Sequence, residues 1–393
     1  MHPIVIIGSG MAGYAAAREF RKLNTEQELV MICADDAANY AKPTLSNAFA
    51  LKKAPEQIAL GDAEKMATQL NMRIVNHTWV KKIDATAQDI QLENTQGEVS
   101  TQAYSQLVLA VGAHAIRLAI AGDGSDDIHT VNSLTEYKNF RACLDQRQHK
   151  RVVILGAGLI GCEFANDLQN TGHEVTVIDL APLPLGRLLP AHVAESFKDK
   201  LSSTGIQFVL GTTVEKVAKN ADESYSVALA NGQSFTADAV LSAIGLQPNL
   251  ALTADAGIQT SRGILTNGHL ETNQTHIYAL GDCAEVNGLL LPYVMPIMQQ
   301  ARALAKTLNG ETTAVHYPAM PVAVKTPAAP LTVLPAPLNV EVQWETEEFE
   351  DGMLSKALDK EGTLRGFVLL GATAAKQRLS LTKLVPDLIP ASV

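Results

Sequence analysis

Two glycine-rich turns, a full domain apart, constrain this 393-residue chain more than any other feature. The first lies in IVIIGSGMAG, with Gly8, Gly10 and Gly13. The second lies in VVILGAGLIG, with Gly156, Gly158 and Gly161. Each follows an apolar run of strand character and opens a run of helix character. In such a turn the first glycine permits the tight passage from strand to helix, the second lets a pyrophosphate approach the backbone, and the third lets helix and strand pack closely. Backbone N–H groups at the helix N-terminus then face the phosphate charge. One match is weak in a chain with 27 glycines. Two matches, each trailed by an acid at a strand end, predict two bound dinucleotides and electron passage between them.

The acids sharpen that reading. Asp35 comes 27 residues after Gly8, with Asp36 as its competitor, and Asp179 comes 23 residues after Gly156. A carboxylate there accepts hydrogen bonds from both ribose hydroxyls and repels a 2′-phosphate, which favours NADH over NADPH at the second turn. Arg187 is the nearby cation that argues the other way.

Strands are expected at 4–7, 28–33, 107–111, 152–155, 174–178, 239–243 and 275–280, and helices at 12–23, 159–170 and 296–308. Three strands run into glycines, namely Gly112, Gly245 and Gly281, the last followed by Asp282. The turn-rich stretch 113–130 reads as a crossing between units. From Pro321 onward, short runs such as LNVEVQW and LRGFVLLG predict a small, mostly β unit with one helix in its last twenty residues. The expected fold class is α/β. It comprises two Rossmann-like three-layer (β-β-α) nucleotide-binding domains and a small C-terminal α+β domain. The first domain spans 1–112 and 245–315, the second (113–244) is inserted in it, and the third covers 316–393.

Composition narrows the function. A net charge of −10 weighs against nucleic acid as a partner. Cys33, Cys143, Cys162 and Cys283 make no C-x-x-C or C-x4-C pair, so neither a metal site nor a redox dithiol is expected. No apolar run is long enough to span a bilayer. The first strand begins at residue 3 or 4, leaving no room for a secretory signal, so a cytoplasmic location without membrane insertion is expected. The segment after His316 carries no long apolar stripe, which favours a monomer.

The segments GSGMAG, NYAKPTLS, LVLAVG, GAGLIGCEFAND, SAIG and IYALGDCAE extend over nearly the whole chain. On these the sequence resembles the FAD-dependent pyridine-nucleotide reductases of the pyridine nucleotide-disulphide oxidoreductase-like superfamily. VMPIMQQARALA and MPVAVKTPAAP narrow the resemblance to the branch that serves rubredoxins. It implies tightly bound, non-covalent FAD and NADH as co-substrate, with flavin N5 receiving the electron pair. Single electrons then pass to the iron of a rubredoxin, a small acidic carrier that supplies an acceptor such as an alkane hydroxylase. A ferredoxin or flavorubredoxin is the alternative acceptor. No cysteine lies between Ala34 and Ala142, where peroxidase or oxidase relatives use one beside the flavin.

The resemblance also assigns residues. It implies that Gly8, Gly10 and Gly13 hold the FAD pyrophosphate and Asp35 its adenosine ribose. Lys42 and Pro43 stand where many relatives have Arg-Pro beside the flavin, and Ser46 orders that loop. Asp282 matches the acid that binds the ribityl chain, and the helix near Pro296 points its N-terminus at the flavin pyrimidine. Glu163 stands near the nicotinamide, and Lys325 approaches the flavin from the third domain. Gly112, Gly245 and Gly281 complete the cofactor-binding set with Gly156, Gly158, Gly161 and Asp179. Glu163, Lys42 and Lys325 are the candidate catalytic residues. Asn47 departs from the lysine of some ferredoxin-reductase relatives.

Arg18, Arg21, Lys22, Lys52 and Lys53 are expected to form a basic surface that steers an acidic partner. Trp79 and Trp344 are expected in the core or at a domain interface, and Tyr14 and Cys283 as packing residues. His149, His173 and His192 are expected in turns or on helix surfaces, without a chemical role.

Overall fold

A computed structural model describes residues 2–146, 150–337 and 339–391, so His149 lies outside the described residues. The strand Ile4–Ile7 is buried along its whole length. It sits third in a parallel sheet ordered Ile277–Ala279, Gln106–Leu109, Ile4–Ile7, Leu29–Ile32, Arg73–Val75. Such uninterrupted apolar strands are what a parallel sheet covered on both faces requires. The helix Met11–Leu23 covers one face, burying Tyr14, Ala16, Ala17 and Phe20, and the long helix Val294–Leu308 packs against it.

The second glycine turn opens an equivalent sheet, ordered Gln207–Leu210, Glu174–Asp179, Arg151–Leu155, Ala239–Ser242, His129–Thr130, again parallel. In both sheets the glycine strand is third and the acid-bearing strand lies beside it. Each unit adds an antiparallel three-stranded layer. In the first unit this is Thr78–Asp84, Asp89–Asn94 and Val99–Ala103; in the second, Val214–Lys219, Tyr225–Leu229 and Ser234–Ala237. The passage out to the second unit, Ala113–Ala115, pairs antiparallel with the return, Leu246–Pro248.

The third unit is an antiparallel sheet ordered Val322–Val324, Leu331–Leu334, Leu364–Leu370, Gly352–Leu358, Gln343–Phe349. The fold is thus two Rossmann-like α/β domains and a small α+β domain. Several local expectations fail. Among the described residues of LNVEVQW only Gln343 and Trp344 are strand, because Val340 N–H closes a turn onto Pro337 O. The helix expected in the last twenty residues is Arg378–Thr382, and a short helix, Ala372–Ala375, precedes it. Trp79 is exposed, since Thr78 takes the inward position on its strand. Trp344 does pack against the core. His173 is buried, while His192 bridges its helix to Thr346 (2.8 Å) and Ser355 (3.2 Å) of the third unit.

One apolar core joins all three units. Leu45, Phe49 and Ile58 from the first chain segment pack with Phe140, Phe164 and Leu168 of the second unit and with Val324, Leu331 and Val368 of the third. The Phe49 ring meets Tyr137, Phe140 and His173 edge-on, at centroid separations of 5.6, 6.2 and 5.8 Å. Truncating this ring should be felt by every unit. Phe49→Ala is expected to destabilise the protein by about 3 to 5 kcal/mol. Urea titration followed by both far-UV dichroism and tryptophan emission checks this, and a loss under about 1 kcal/mol would contradict a shared core.

Candidate functional site

The two glycine turns have one geometry. Gly8 and Gly156 adopt φ of +113° and +105°, a region that side chains strain to enter. A Cβ on Gly13 would lie 2.0 Å from Gly8 O, and one on Gly161 would lie 1.9 Å from Gly156 O, so each third glycine lets helix press on turn. A Cβ on Gly10 or Gly158 would meet nothing within 4 Å. Those two glycines are N-caps, and neither supplies a side-chain hydrogen bond to its helix. Open backbone beside uncapped N–H groups is the cradle that a pyrophosphate fits.

The acids are tied to these turns. Ser9 Oγ donates to Asp35 Oδ1 at 2.7 Å, and Ala37 N donates to the same oxygen at 3.1 Å. Asp36 instead receives Ala38 N, at 3.1 Å, so Asp35 is the acid joined to the glycine turn. In the second unit Ala157 N donates to Asp179 Oδ2 at 2.5 Å, and Ala181 N to Oδ1 at 2.7 Å.

Lys42–Asn47 is a short 3-10 helix with Pro43 in its first turn. It carries Lys42 Nζ to 3.9 Å from Asp282 Oδ2. Burial holds the Lys42 ammonium below its ordinary range. Burial also raises the Asp282 carboxyl, against the pull of Lys42. Among the described residues no N–H or O–H group donates a hydrogen bond to the Asp282 carboxylate. A half-buried acid of that kind offers acceptors to a chain rich in hydroxyls.

Asp282 lies in the turn Gly281–Cys283. Gly281 N donates to Gln300 Oε1 at 2.6 Å, and Gln300 Nε2 donates to Tyr317 Oη at 2.7 Å. Gln300 belongs to the helix Val294–Leu308, whose N-cap Tyr293 supplies no side-chain bond and whose first turn holds buried Pro296. Cys283 is fully buried, and burial pushes its thiol up to about 12, as suits a packing residue. Gly112 and Gly245 bracket the crossing. Gly112 O accepts Asn249 N at 3.0 Å and Gly245 O accepts Ile116 N at 3.1 Å.

Glu163, Asn166 and Asp167 form a polar stripe on the otherwise apolar helix Leu159–Gln169, and all three are buried. Glu163 Oε2 accepts Ser46 Oγ at 2.6 Å and forms an ion pair with Lys325 Nζ, while Oε1 accepts Lys325 N at 3.0 Å. The structure therefore brings three expected residues, Ser46, Glu163 and Lys325, onto one carboxylate. One turn along, Asp167 accepts Phe49 N at 3.0 Å and Ala50 N at 2.8 Å, and Asn166 Oδ1 accepts Ala328 N at 3.1 Å. Burial outweighs the two amides and holds the Asp167 carboxyl above its usual range. Asn166 and Asp167 are not among the site residues expected from the sequence. Their signal was present in GCEFAND, where three polar residues at i, i+3 and i+4 interrupt an apolar helix. Asn47 Oδ1, beside Ser46, is buried without a hydrogen-bond partner among the described residues.

The basic surface expected at Arg18–Lys22 does not form as a free patch. The Arg21 guanidinium donates to the carbonyls of Leu70, Asn24, Gln27 and Asn71. Lys22 pairs with Glu19 at 2.7 Å, and Arg18 lies over the Tyr14 ring at 5.7 Å.

Comparison with known proteins agrees with this architecture. Residues 2–307 match the pyridine nucleotide-disulphide oxidoreductase family, and residues 314–385 match the rubredoxin binding C-terminal domain family. The rubredoxin-NAD(+) reductase of Acinetobacter baylyi is 73% identical over 394 aligned residues, covering 100% of both chains. That of Alcanivorax borkumensis is 43% identical, covering 99% of this chain and 100% of its own. Among solved structures, a ferredoxin reductase from Rhodopseudomonas palustris aligns with a TM-score of 0.86 at 26% identity, covering 98% of this chain and 96% of that one. The chain belongs to the pyridine nucleotide-disulphide oxidoreductase family and stands there with the rubredoxin-NAD(+) reductases.

Proposed function

We propose that this protein is an NADH-dependent, FAD-containing reductase of rubredoxin. One observation carries the reading. The helix that starts at the second glycine turn delivers Glu163 to both the Lys42–Asn47 segment and Lys325 of the rubredoxin-binding unit. The Lys42–Asn47 segment, the helix of the second glycine turn and the third unit therefore share one buried carboxylate.

Each residue then has a task. Gly8, Gly10, Gly13 and the N-terminus of the first glycine helix hold the FAD pyrophosphate, and Asp35 holds the adenosine ribose. Asp282, in the turn with Gly281, accepts from the ribityl hydroxyls. Lys42, Pro43 and Ser46 border the isoalloxazine, with the Pro296 helix end on its pyrimidine side. Lys42, Lys325 and that helix end favour negative charge there. Gly156, Gly158, Gly161 and Asp179 hold NADH, and Glu163 with Lys325 orients the nicotinamide. Gly112 and Gly245 line the two cofactors at the crossing between units. Bound FAD supplies the conversion of a two-electron donor into a source of single electrons. The protein contributes position and electrostatics, and no side chain must move a proton at the reacting carbon.

Three measurements test this. Anaerobic stopped-flow of the NADH-reduced holoprotein should show flavin reoxidised faster by rubredoxin than by ferredoxin; the reverse order would withdraw the acceptor. Asp179→Ala should lower kcat/KM for NADH by about tenfold, the worth of one hydrogen bond to a charged group, and should raise the NADPH-to-NADH ratio. An unchanged ratio in steady-state kinetics would remove Asp179 from the ribose.

The third concerns pH. Because the folded carboxyl of Asp282 is raised, its contribution to the stability of the FAD-free protein is complete below the unfolded carboxylate value. That contribution is lost as pH rises through the folded value. Retention of FAD runs oppositely, since the ionised acid is the stronger acceptor. FAD affinity should therefore fall as pH drops through a value above an ordinary aspartate's. Asp282→Asn should abolish that step and weaken binding by about tenfold. Flavin-fluorescence titration between about pH 4 and about pH 7 reads both effects. A step that persists in the variant assigns it to another group.

A further inference from the structure

The surface of the third unit carries one acidic segment and one basic segment. Its edge strand Gln343–Phe349 exposes Glu345, Glu347 and Glu348, with Glu350 following. Charged edge positions of this kind discourage further strands from pairing there. Residues 376–385 carry three cations and no acid: Lys376, Arg378 and Lys383, all exposed. Among the described residues none of the three takes part in an ion pair.

The apolar residues of this tip divide by face. In the helix Arg378–Thr382, Leu381 points into the core of the unit together with Ala374 and Phe367. Leu379 and Lys383 are four residues apart and share the face away from Leu381. Leu379 is 70% exposed and Leu384 is 65% exposed, although the same unit buries Leu354, Leu364 and Leu369. Leucines left in water between unpaired cations are the composition of a contact surface with an apolar centre and a charged rim.

The chain that follows the tip is tied to the candidate flavin turn. Downstream of the tip, Leu388 N and Ile389 N donate to Tyr317 O at 2.8 and 3.0 Å, and Tyr317 N donates to Ile389 O at 2.9 Å. The Tyr317 hydroxyl accepts from Gln300, which in turn receives Gly281 N of the turn that bears Asp282. The tail beyond the tip is thus strapped, through two side chains, to the turn assigned to the flavin.

We infer that the outward face of Lys376–Leu384, centred on Leu379 and Leu384 and rimmed by Lys376, Arg378 and Lys383, is the surface on which the small acidic electron carrier docks. Charge decides the occupant. On a chain of net charge −10 this tip is a local concentration of unpaired cations, which attract an acidic protein. This inference rests on the reading that rubredoxin is the acceptor.

The test uses the FAD-loaded full chain, reduced with NADH and mixed with rubredoxin or, separately, with ferricyanide. Arg378→Glu combined with Lys383→Glu should slow reoxidation by rubredoxin by about tenfold at low salt and flatten its salt dependence. Leu379→Ser should slow it with the salt dependence kept. Glu347→Lys combined with Glu348→Lys should leave it unchanged or raise it. Ferricyanide rates should match the unaltered protein in every case. Unchanged rubredoxin rates in both tip variants overturn the docking surface and leave the acceptor standing. An equal loss with ferricyanide overturns it, because the tip then acts on the flavin. A change in sedimentation without a change in rubredoxin rate assigns the tip to a second copy of this chain and overturns it also. Failure of rubredoxin to reoxidise the unaltered protein overturns both readings.

Discussion

The carboxylate of Glu163 is out of water, and three groups from outside its own unit satisfy it. Ser46 comes from the segment before the second unit, while the backbone and side chain of Lys325 come from the unit after it. Desolvating a charge costs several kcal/mol unless its partners are well placed and its remaining lone pairs are filled. That condition can be met here only when all three units are seated. Apolar contact around Phe49 supplies attraction between the units, but attraction of that kind has little direction. The Glu163 partners, continued by Asn166 and Asp167 on the same helix, specify the arrangement. The Lys42 segment can hold its lysine near Asp282 because its other end is fixed by these acids.

The duplication of the two nucleotide units is close in backbone and different in detail. Both place the glycine strand third, with the acid on the strand beside it. In the first unit a serine hydroxyl fastens the acid, and in the second a backbone amide does. The first sheet also takes its last strand, Ile277–Ala279, from beyond the second unit, and the turn that follows carries Asp282. The first site is thus assembled from distant stretches of chain, whereas the second takes its glycine turn and acid from one continuous stretch.

What the sequence discloses follows the range of the interactions. Glycine turns, strand ends and trailing acids are local, and Gly8, Gly13, Gly156, Gly161 and Asp179 sit where their spacing implied. The choice of Asp35 over Asp36 needed the hydroxyl of Ser9, a contact across the sheet. The antiparallel layers were not read, because strands such as Thr78–Asp84 expose one face and lack a continuous apolar run. Trp79 was misjudged for the same reason: hydrophobicity favours burial, but alternation along the strand sets the face. Arg21 counts as surface charge in a sequence, and only the folded chain shows four carbonyls around it. The role of GCEFAND as a junction was visible as a polar stripe, yet its partners lie more than a hundred residues away in both directions.

The paired strands Ala113–Ala115 and Leu246–Pro248 bring the entrance and exit of the second unit side by side. A folded segment that leaves and returns at one point puts little closure cost on its host, and that cost grows only slowly with its length. In genetic terms it is a cassette: one that could be lengthened, shortened or replaced by another dinucleotide-binding unit while the host sheet keeps its register. What limits such exchange is the face of the helix Leu159–Gln169, whose Glu163, Asn166 and Asp167 any replacement would have to reproduce. The surroundings of Asp179 are therefore free to diverge, while the junction holds the units in register.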